Sequence, residues 1–198
     1  RGTTMFFQIA ALLILAAFYG CYFGKMLRQK QQGIQTDQIG KGKRGKALMI
    51  EIVMKIVTLA APVAELVSIL LGTALLPVWA RILGLILGGL GVAVFVCSVV
   101  TMKDSWRAGV SSTEKTSLVT CGIYQISRNP AFLGFDLVYA GILLAFFNWV
   151  LLGVSVMAIM ILHIQIVFVE EPFLLKRFGG EYLDYQKKVF RYLGRRAG

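Results

Sequence analysis

The chain has 198 residues, of which 57% are hydrophobic and 16% charged, and it carries a net charge of +11. Its mean hydropathy is +0.72, and its apolar residues come in runs of about 20, the length that crosses a bilayer as a helix. This excludes an ordinary soluble domain and predicts an all-α, polytopic integral membrane protein built as a single domain. The three cysteines are scattered along the chain, which argues against a disulfide framework and a metal site.

Five apolar segments are predicted to cross the membrane. The first three lie at 6–23, 48–71 and 78–102. The last two, at about 132–147 and 149–169, are separated by a turn at an asparagine and a tryptophan, residues that favour a turn and the membrane interface. The last two helices are therefore predicted to form a tight helical hairpin.

Polar and small residues inside the apolar segments predict how the helices pack. Glu51 and Lys55 stand one helical turn apart in the second segment and are expected to pair with each other. Glu65 is expected to face the interior of the bundle rather than lipid. In the third segment, the spacing of Gly84 and Gly88 permits close helix packing, with a partner inside the same chain preferred to a second copy.

Lysine and arginine are concentrated in the loop at 25–46 and in the tail after Val169, whereas the turn between the second and third segments and the turn at Asn148 are nearly free of them. Basic loops stay in the cytoplasm. Five crossings then place the N-terminus outside, and the C-terminus and the segment 103–131 in the cytoplasm. The positive charge is thus explained by topology and contact with anionic lipids, and it gives little support to nucleic-acid binding.

Two polar regions are candidates for chemistry, and the predicted hairpin brings them to the same side of the membrane. In one, Arg128, Asn129 and Pro130 offer a fixed cation, an amide and a locked start of a helix, whose backbone amides favour an anionic group. In the other, Glu170 and Glu171 offer paired carboxylates. Together they suit a small zwitterionic ligand. The alternative interpretation is that Arg128 only fixes topology and pairs with Glu171.

The tail is predicted to be amphipathic. Its aromatic and apolar residues recur at spacings of four and three and form one stripe with basic flanks: Phe178, Tyr182, Tyr185, Val189 and Tyr192. Such a helix is suited to lying on the membrane surface. Gly179 and Gly180 are expected to interrupt it.

Two motifs carry a resemblance to a known family. GIYQISRNPAFLG, at 122–134, resembles the G-x-Y-x-x-x-R-H-P-x-Y-x-G signature of the isoprenylcysteine carboxyl methyltransferase family and its prokaryotic relatives. EEPFLLKRFGGEYLDYQKKV, at 170–189, is similar to the family's E-E-x-x-L-x-x-x-F-G-x-E-Y-x-x-Y-x-x-x-V. The motifs stand at the family's separation, and the resemblance covers about 106–191, nearly the second half of the chain.

The resemblance implies an integral membrane methyltransferase that uses S-adenosylmethionine, with 1–102 as three N-terminal helices and a basic loop, and 103–198 as the catalytic half. It also implies a cofactor pocket at the cytoplasmic face, formed by the last hairpin and the C-terminal segment and closed by the tail helix. Carried over by position, the expected cofactor contacts are Thr116, Ser117, Leu118, Val119, Tyr124, Asn129, Pro130, Ala131, Phe132 and Glu170. The predicted catalytic residues are Arg128 and Glu171, with Glu171 as the base for an amine acceptor. No metal is expected.

Three positions depart from the family pattern. Asn129 replaces the histidine and Phe132 the tyrosine of the first motif. Asparagine still donates and accepts hydrogen bonds, so cofactor binding is still expected, whereas a proton-transfer role for that histidine is lost. Ile166 stands where eukaryotic members have a substrate-binding arginine, so this position offers no cation to a carboxylate acceptor.

The predicted function is methyl transfer to a lipophilic acceptor, in first place the carboxylate of an isoprenylcysteine-like substrate. The alternatives are a phospholipid amine methyltransferase, an NADPH-dependent membrane reductase of the sterol reductase type, and a non-enzymatic scaffold or transporter. The expected partners are a lipophilic or prenylated substrate and membrane lipids, without nucleic acid, and the working expectation is a monomer. The expected location is the bacterial inner membrane rather than the endoplasmic reticulum, with the active site on the cytoplasmic face.

Overall fold

The computed structural model describes residues 2–109 and 117–196. In these ranges the α-helices are α1 Gly2–Gln31, α2 Gly45–Leu71, α3 Val78–Met102, α4 Pro130–Ala145, α5 Trp149–Gln165, α6 Glu171–Phe178 and α7 Gly180–Lys188. Shorter helical turns lie at Lys103–Ser105, Gly122–Gln125 and Ile166–Glu170. The described residues contain isolated bridges but no β-strand, so the prediction of an all-α fold is confirmed.

The membrane crossings correspond to the predicted segments. Among the described residues, four helical stretches are long and apolar enough to span a bilayer: Gly2–Gln31, Gly45–Leu71, Val78–Ser105 and Trp149–Phe178. The remaining segment, α4, is apolar but has 16 residues, which gives a length of about 24 Å, less than the roughly 30 Å of a hydrocarbon core. The protein is therefore an integral membrane bundle in which one helix is short.

Successive helices run in opposite directions, so each end of the bundle collects alternate helix termini. We call one of them the loop end; it contains Gln31, Gly45, Met102, Pro130 and Glu170. The assignment of the loop end to the cytoplasm rests on its lysines and arginines and stays a prediction.

The opposite end holds the turn between α4 and α5. Asn148 caps α5 by accepting a hydrogen bond from the Leu151 backbone N–H at 2.9 Å, as its place in the predicted turn indicates. Arg81 is buried there; its Nε donates to the Ala145 carbonyl at 2.8 Å, and its guanidinium lies 4.0 Å from the centre of the Phe7 ring. The predicted helical hairpin is confirmed.

Helices α3 and α4 approach each other until their backbones touch. A Cβ atom on Gly84 would lie 2.5 Å from the Gly141 carbonyl oxygen, and one on Gly91 would lie 2.8 Å from the Gly134 carbonyl oxygen. A Cβ on Gly141 would lie 2.5 Å from the Gly88 nitrogen. The prediction of close internal packing at Gly84 and Gly88 is therefore confirmed, and the glycines fix the depth of α4 in the bundle.

This contact sets α4 deep at the loop end. Gly134 packs on Phe95, where a Cβ on the glycine would lie 2.8 Å from the Phe95 Cβ. Beyond the contact between Phe95 and Gly134, α3 and its short turn extend ten residues further towards the loop end, to Ser105. In the same direction α4 extends only four residues, to its first residue, Pro130. The start of α4 therefore lies at the bottom of a recess.

The charged residues near the start of α2 have partners other than those expected. Glu51 is buried and pairs with Lys43 at 2.6 Å, while Lys55 pairs with Asp37 at 3.2 Å. The predicted Glu51–Lys55 pair is wrong, because the loop before α2 folds back over the helix and supplies both a cation and an anion.

Glu65 faces the bundle interior as predicted. Its side chain is 0% exposed, and neither carboxylate oxygen has a hydrogen-bond partner among the described residues. Because a buried polar group without a partner destabilises the folded state, Glu65→Met, which removes the polar atoms, is expected to raise the Tm of the detergent-solubilised protein by about 2–4 °C. Differential scanning fluorimetry measures the shift, with the exposed Glu181→Met as the control. A lower Tm for Glu65→Met alone would show that Glu65 stabilises the bundle.

Candidate active site

A cavity of about 200 Å³ lies in the recess at the loop end. Several predicted cofactor contacts line it, namely Ser117, Leu118, Val119, Tyr124, Asn129, Ala131, Phe132 and Glu170. Arg128 lines it as well, whereas Pro130, at the first turn of α4, and Glu171 are not among the lining residues. Thr116 lies outside the described residues. The fold thus brings segments from both motifs into one wall.

Glu170 reaches the cavity because of an irregular turn between α5 and α6. Residues Ile166–Glu170 form a π-helical turn, and such turns shift the direction of the side chains that follow them. Pro172, which has no N–H to donate, follows immediately in the first turn of α6. As a result, Glu170 lines the cavity while its neighbour Glu171 contacts other residues.

Glu171 binds two arginines that hold the C-terminal segment in place. Its Oε1 lies 2.9 Å from Arg128 Nη1, and Arg191 donates to both carboxylate oxygens, each at 2.9 Å. Arg128 Nε also donates to the Val189 carbonyl at 3.1 Å, and Nη1 donates to the Tyr182 hydroxyl at 3.1 Å. The geometry agrees with the interpretation in which Arg128 pairs with Glu171. The role of Glu171 as a base stays a prediction.

Asn129, the residue in place of the family histidine, also fastens the tail. Its Nδ2 donates to the Arg191 carbonyl at 3.1 Å, and its backbone N–H donates to Ser127 Oγ at 3.2 Å. The side chain does not cap α4. The first N–H groups of that helix, at Ala131 and Phe132, belong to residues that line the cavity, and they make this wall electropositive.

Tyrosines of the tail form the outer wall of the cavity. Tyr185 donates from its hydroxyl to the Tyr124 carbonyl at 2.5 Å, and the Tyr124 hydroxyl lies 2.7 Å from Ser98 Oγ. Burial raises the pKa of both Tyr124 and Tyr185 above the ordinary value, so both phenols are neutral. Tyr182 is buried in the same cluster.

The tail contributes to the cavity, as the resemblance implies. Gly179, with φ of +54°, separates α6 from α7 as expected. The buried members of the apolar stripe, Tyr182, Tyr185 and Val189, pack against Tyr124 and its neighbours, and Tyr182 and Tyr185 line the cavity. The tail is thus a wall of the cavity, and its contact with the membrane surface stays a prediction.

The three N-terminal helices and their basic loop contribute to the cavity, which the sequence did not predict. From this part of the chain, the lining residues include Tyr22, Ile39, Met54 and Thr58, and the segment 106–109 from the catalytic half lies beside them. Trp106 makes edge-to-face ring contacts with Tyr22 and Phe95, at centroid distances of 5.6 and 6.1 Å. Apolar and aromatic residues in a membrane helix carry no signal that separates a cavity wall from a lipid-facing surface. Thr58, a polar residue in an apolar stretch, is a signal that could have indicated this wall.

The arginine contacts predict how the tail responds to mutation. Arg191→Ala removes two charged hydrogen bonds to Glu171 and is expected to weaken docking of the tail by roughly 1.5 kcal/mol or more, about a tenfold effect. Trypsin should then cleave faster after Lys187 and Lys188, measured by mass spectrometry of timed digests. The exposed Arg195→Ala is the control. Equal cleavage rates in the two variants would contradict this role of Arg191.

Comparison with known proteins identifies the family. Residues 79–181 match the family described as phospholipid methyltransferase, which is just over half of the 198 residues. The match contains α3 from its second residue, all of α4 and α5, and the cavity-lining residues from Ser117 to Glu170. No curated protein matches the chain significantly. The chain belongs to the phospholipid methyltransferase family, a family of membrane methyltransferases.

Proposed function

We propose that the protein transfers a methyl group from S-adenosylmethionine to a lipophilic acceptor, with the loop-end cavity as the active site. One observation carries the proposal: in a chain of a membrane methyltransferase family, the cavity wall combines residues 117–119, the start of α4 and Glu170. These segments are distant in sequence and contain the positions at which the motif resemblance expects cofactor contacts.

The chemistry of the wall fits this cofactor. The N–H groups of Ala131 and Phe132 at the start of α4 suit a carboxylate. Glu170 suits an ammonium group or ribose hydroxyls, and the aromatic side chains suit a flat base and a sulfonium cation. When bound, S-adenosylmethionine supplies an electrophilic methyl group. Thr116, Pro130 and the other predicted contacts stay part of the proposal.

The residues of this chain act mainly by positioning. Displacement at a sulfonium methyl needs the acceptor atom, the methyl carbon and the sulfur in line, and holding them so lowers the entropic part of the barrier. The cavity is walled largely by aromatic and aliphatic side chains, including Phe95, Phe132 and Phe135, which exclude water from the reacting groups. Arg128 and Glu171 hold the tail that closes the outer wall.

For the acceptor we place a phospholipid amine first and an isoprenylcysteine-like carboxylate second. The family match favours the amine, while the motif at 122–134 favours the carboxylate. The geometry favours the amine, because Ile166 is fully buried where an arginine would bind a carboxylate, and Arg128 is already bound to Glu171. An apolar cavity also favours the neutral, nucleophilic form of an amine, which reduces the need for a base.

Calorimetry on the detergent-purified protein tests the cofactor. We expect S-adenosylmethionine and its product S-adenosylhomocysteine to bind with Kd values on the order of micromolar, about −8 kcal/mol, and NADPH not to bind. The absence of binding to a folded, monodisperse sample would overturn the proposal. Binding of NADPH instead would support the reductase alternative.

A further inference from the structure

The loop between α1 and α2, residues 32–44, is packed over the loop end of the bundle. The Gln38 backbone N–H donates to the Ala108 carbonyl at 2.8 Å, and the Ala108 N–H donates to the Thr36 carbonyl at 3.0 Å. The side chains of Thr36 and Gln38 are buried. The loop therefore lies edge to edge with the segment 106–109, which lines the cavity.

A second set of contacts ties this loop to α1. Thr36 Oγ1 donates to Gln29 Oε1 at 2.6 Å, and Gln29 Nε2 donates to the Trp106 carbonyl at 3.2 Å. Gln29 is fully buried. Ile39, from the same loop, is itself a lining residue of the cavity. The loop is thus a part of the cavity wall.

Glu51, on α2, binds this loop from below. Its side chain is fully buried and accepts hydrogen bonds from three directions. Lys43 Nζ lies 2.6 Å from Oε1, the Gly40 backbone N–H donates to Oε2, and Gln165 Nε2 donates to Oε1 at 3.1 Å. Two of the three donors come from the loop, so the position of the loop depends on the carboxylate of Glu51.

The third donor, Gln165, connects Glu51 to Glu170, the candidate cofactor contact. Gln165 is the last residue of α5, and the π-helical turn that begins at Ile166 ends at Glu170. Glu170 is therefore joined to Gln165 by this turn, five residues along the chain. A continuous set of polar contacts runs from Lys43 through Glu51 to Gln165, at the start of the turn that carries Glu170.

Stability alone does not account for this arrangement. Buried ion pairs contribute little net stability compared with apolar residues of similar size, so a buried glutamate at this position is not explained by packing. Residues 36–51 also lie outside the range 79–181 that matches the family. The contact set therefore adds something to the site that the family match does not contain.

We propose that Glu51 is a positioning residue for the cofactor site, acting through Gln165 on Glu170 and through Lys43 and Gly40 on the loop that carries Ile39. The inference rests on the proposed function, since it takes Glu170 as a cofactor contact. It assigns the α1–α2 loop as a wall of the cavity whose position depends on Glu51. Bound cofactor should in turn protect the loop.

The test combines two readouts on three variants. Glu51→Gln should weaken S-adenosylhomocysteine binding about tenfold by calorimetry and speed trypsin cleavage after Lys43 and Arg44. Gln165→Met keeps the Lys43–Glu51 pair and should weaken binding without speeding cleavage. Lys41→Ala is the control, because Lys41 is exposed and donates to the Asp37 carbonyl rather than to Glu51; neither readout should change.

Cleavage in the presence of saturating S-adenosylhomocysteine is a readout that would not change if Glu51 had a purely structural role. The ligand should slow trypsin cleavage of the loop in the wild type but not in Glu51→Gln. Wild-type affinity in both folded Glu51→Gln and folded Gln165→Met would overturn the inference. If Glu51→Gln does not fold, Gln165→Met decides alone. Failure of the wild type to bind would instead refute the proposed function, and unchanged loop cleavage in Glu51→Gln would still refute the loop contact separately.

Discussion

Glu170→Ala is expected to weaken binding of S-adenosylhomocysteine by about 10- to 100-fold, the largest loss for a single side chain in the cavity. Glu170 lines the cavity together with the start of α4, and no other glutamate or aspartate in the described part of the chain lines it. A hydrogen bond between a charged group and its partner in a water-excluded site contributes roughly 1.5–3 kcal/mol, which corresponds to this range. Calorimetry at fixed detergent concentration measures the change.

The matched control for this variant is Glu181→Ala. Glu181 lies in the first turn of α7, whose tyrosines line the cavity, but its own side chain is exposed. The control should bind as tightly as the wild type. If Glu170→Ala also bound as tightly, with an unchanged Tm, Glu170 would not be a cofactor contact and the cavity would have to be assigned another ligand.

Gly141→Ala is expected to lower the Tm more than any other single-methyl change in the bundle. The added Cβ would lie 2.5 Å from the Gly88 nitrogen and 2.6 Å from the Gly84 carbonyl oxygen, both backbone atoms that cannot rotate away. Helices α3 and α4 would have to separate, and overpacking of this kind costs about 1–3 kcal/mol or more. We expect a fall in Tm of roughly 4 °C or more by scanning fluorimetry.

Gly153→Ala is the control for the helix contact. Gly153 lies inside α5, and a Cβ there would meet nothing within 4 Å. Alanine has the higher helix propensity, so this change should leave the Tm unchanged or raise it slightly. Equal Tm values for the two variants would contradict the backbone contact between α3 and α4.

The helix contact also has a consequence for function. Because the glycines fix the depth at which α4 begins, Gly141→Ala should also weaken cofactor binding in any fraction that folds. The backbone N–H groups at Ala131 and Phe132 would be displaced with the helix. This links the packing of α3 and α4 to the geometry of the candidate site.

The sequence predicted the helices well because long apolar runs determine them. The third predicted segment, 78–102, coincides with α3 Val78–Met102, and the fifth begins at Trp149, as α5 does. Helix α4 begins two residues before the fourth predicted segment, since Pro130 lies in the first turn of the helix. Polar residues extend α1 to Gln31, beyond the apolar run, because a helix can continue past the membrane.

Contacts between residues distant in sequence could not be predicted in this way. A local rule paired Glu51 with Lys55, whereas Glu51 binds a lysine of the preceding loop and Gln165, 114 residues away in the chain. The periodicity of the tail showed that Tyr182 and Tyr185 share a face but did not show what the face contacts. Periodicity identifies a buried face, and only the fold identifies its partner.

The most direct test of the account is transfer of a labelled methyl group in a membrane. The wild type and Glu170→Ala, in liposomes that contain phosphatidylethanolamine and an S-farnesylated cysteine, receive S-adenosylmethionine with a tritiated methyl group. We predict that lipid-soluble label forms and that its formation depends on Glu170. If the acceptor is the amine, the labelled methyl group is bound to nitrogen in a phospholipid and base does not release it. If the acceptor is the carboxylate, the label is in a methyl ester and base releases it. A folded protein that binds S-adenosylhomocysteine but transfers no label to either acceptor would contradict the account.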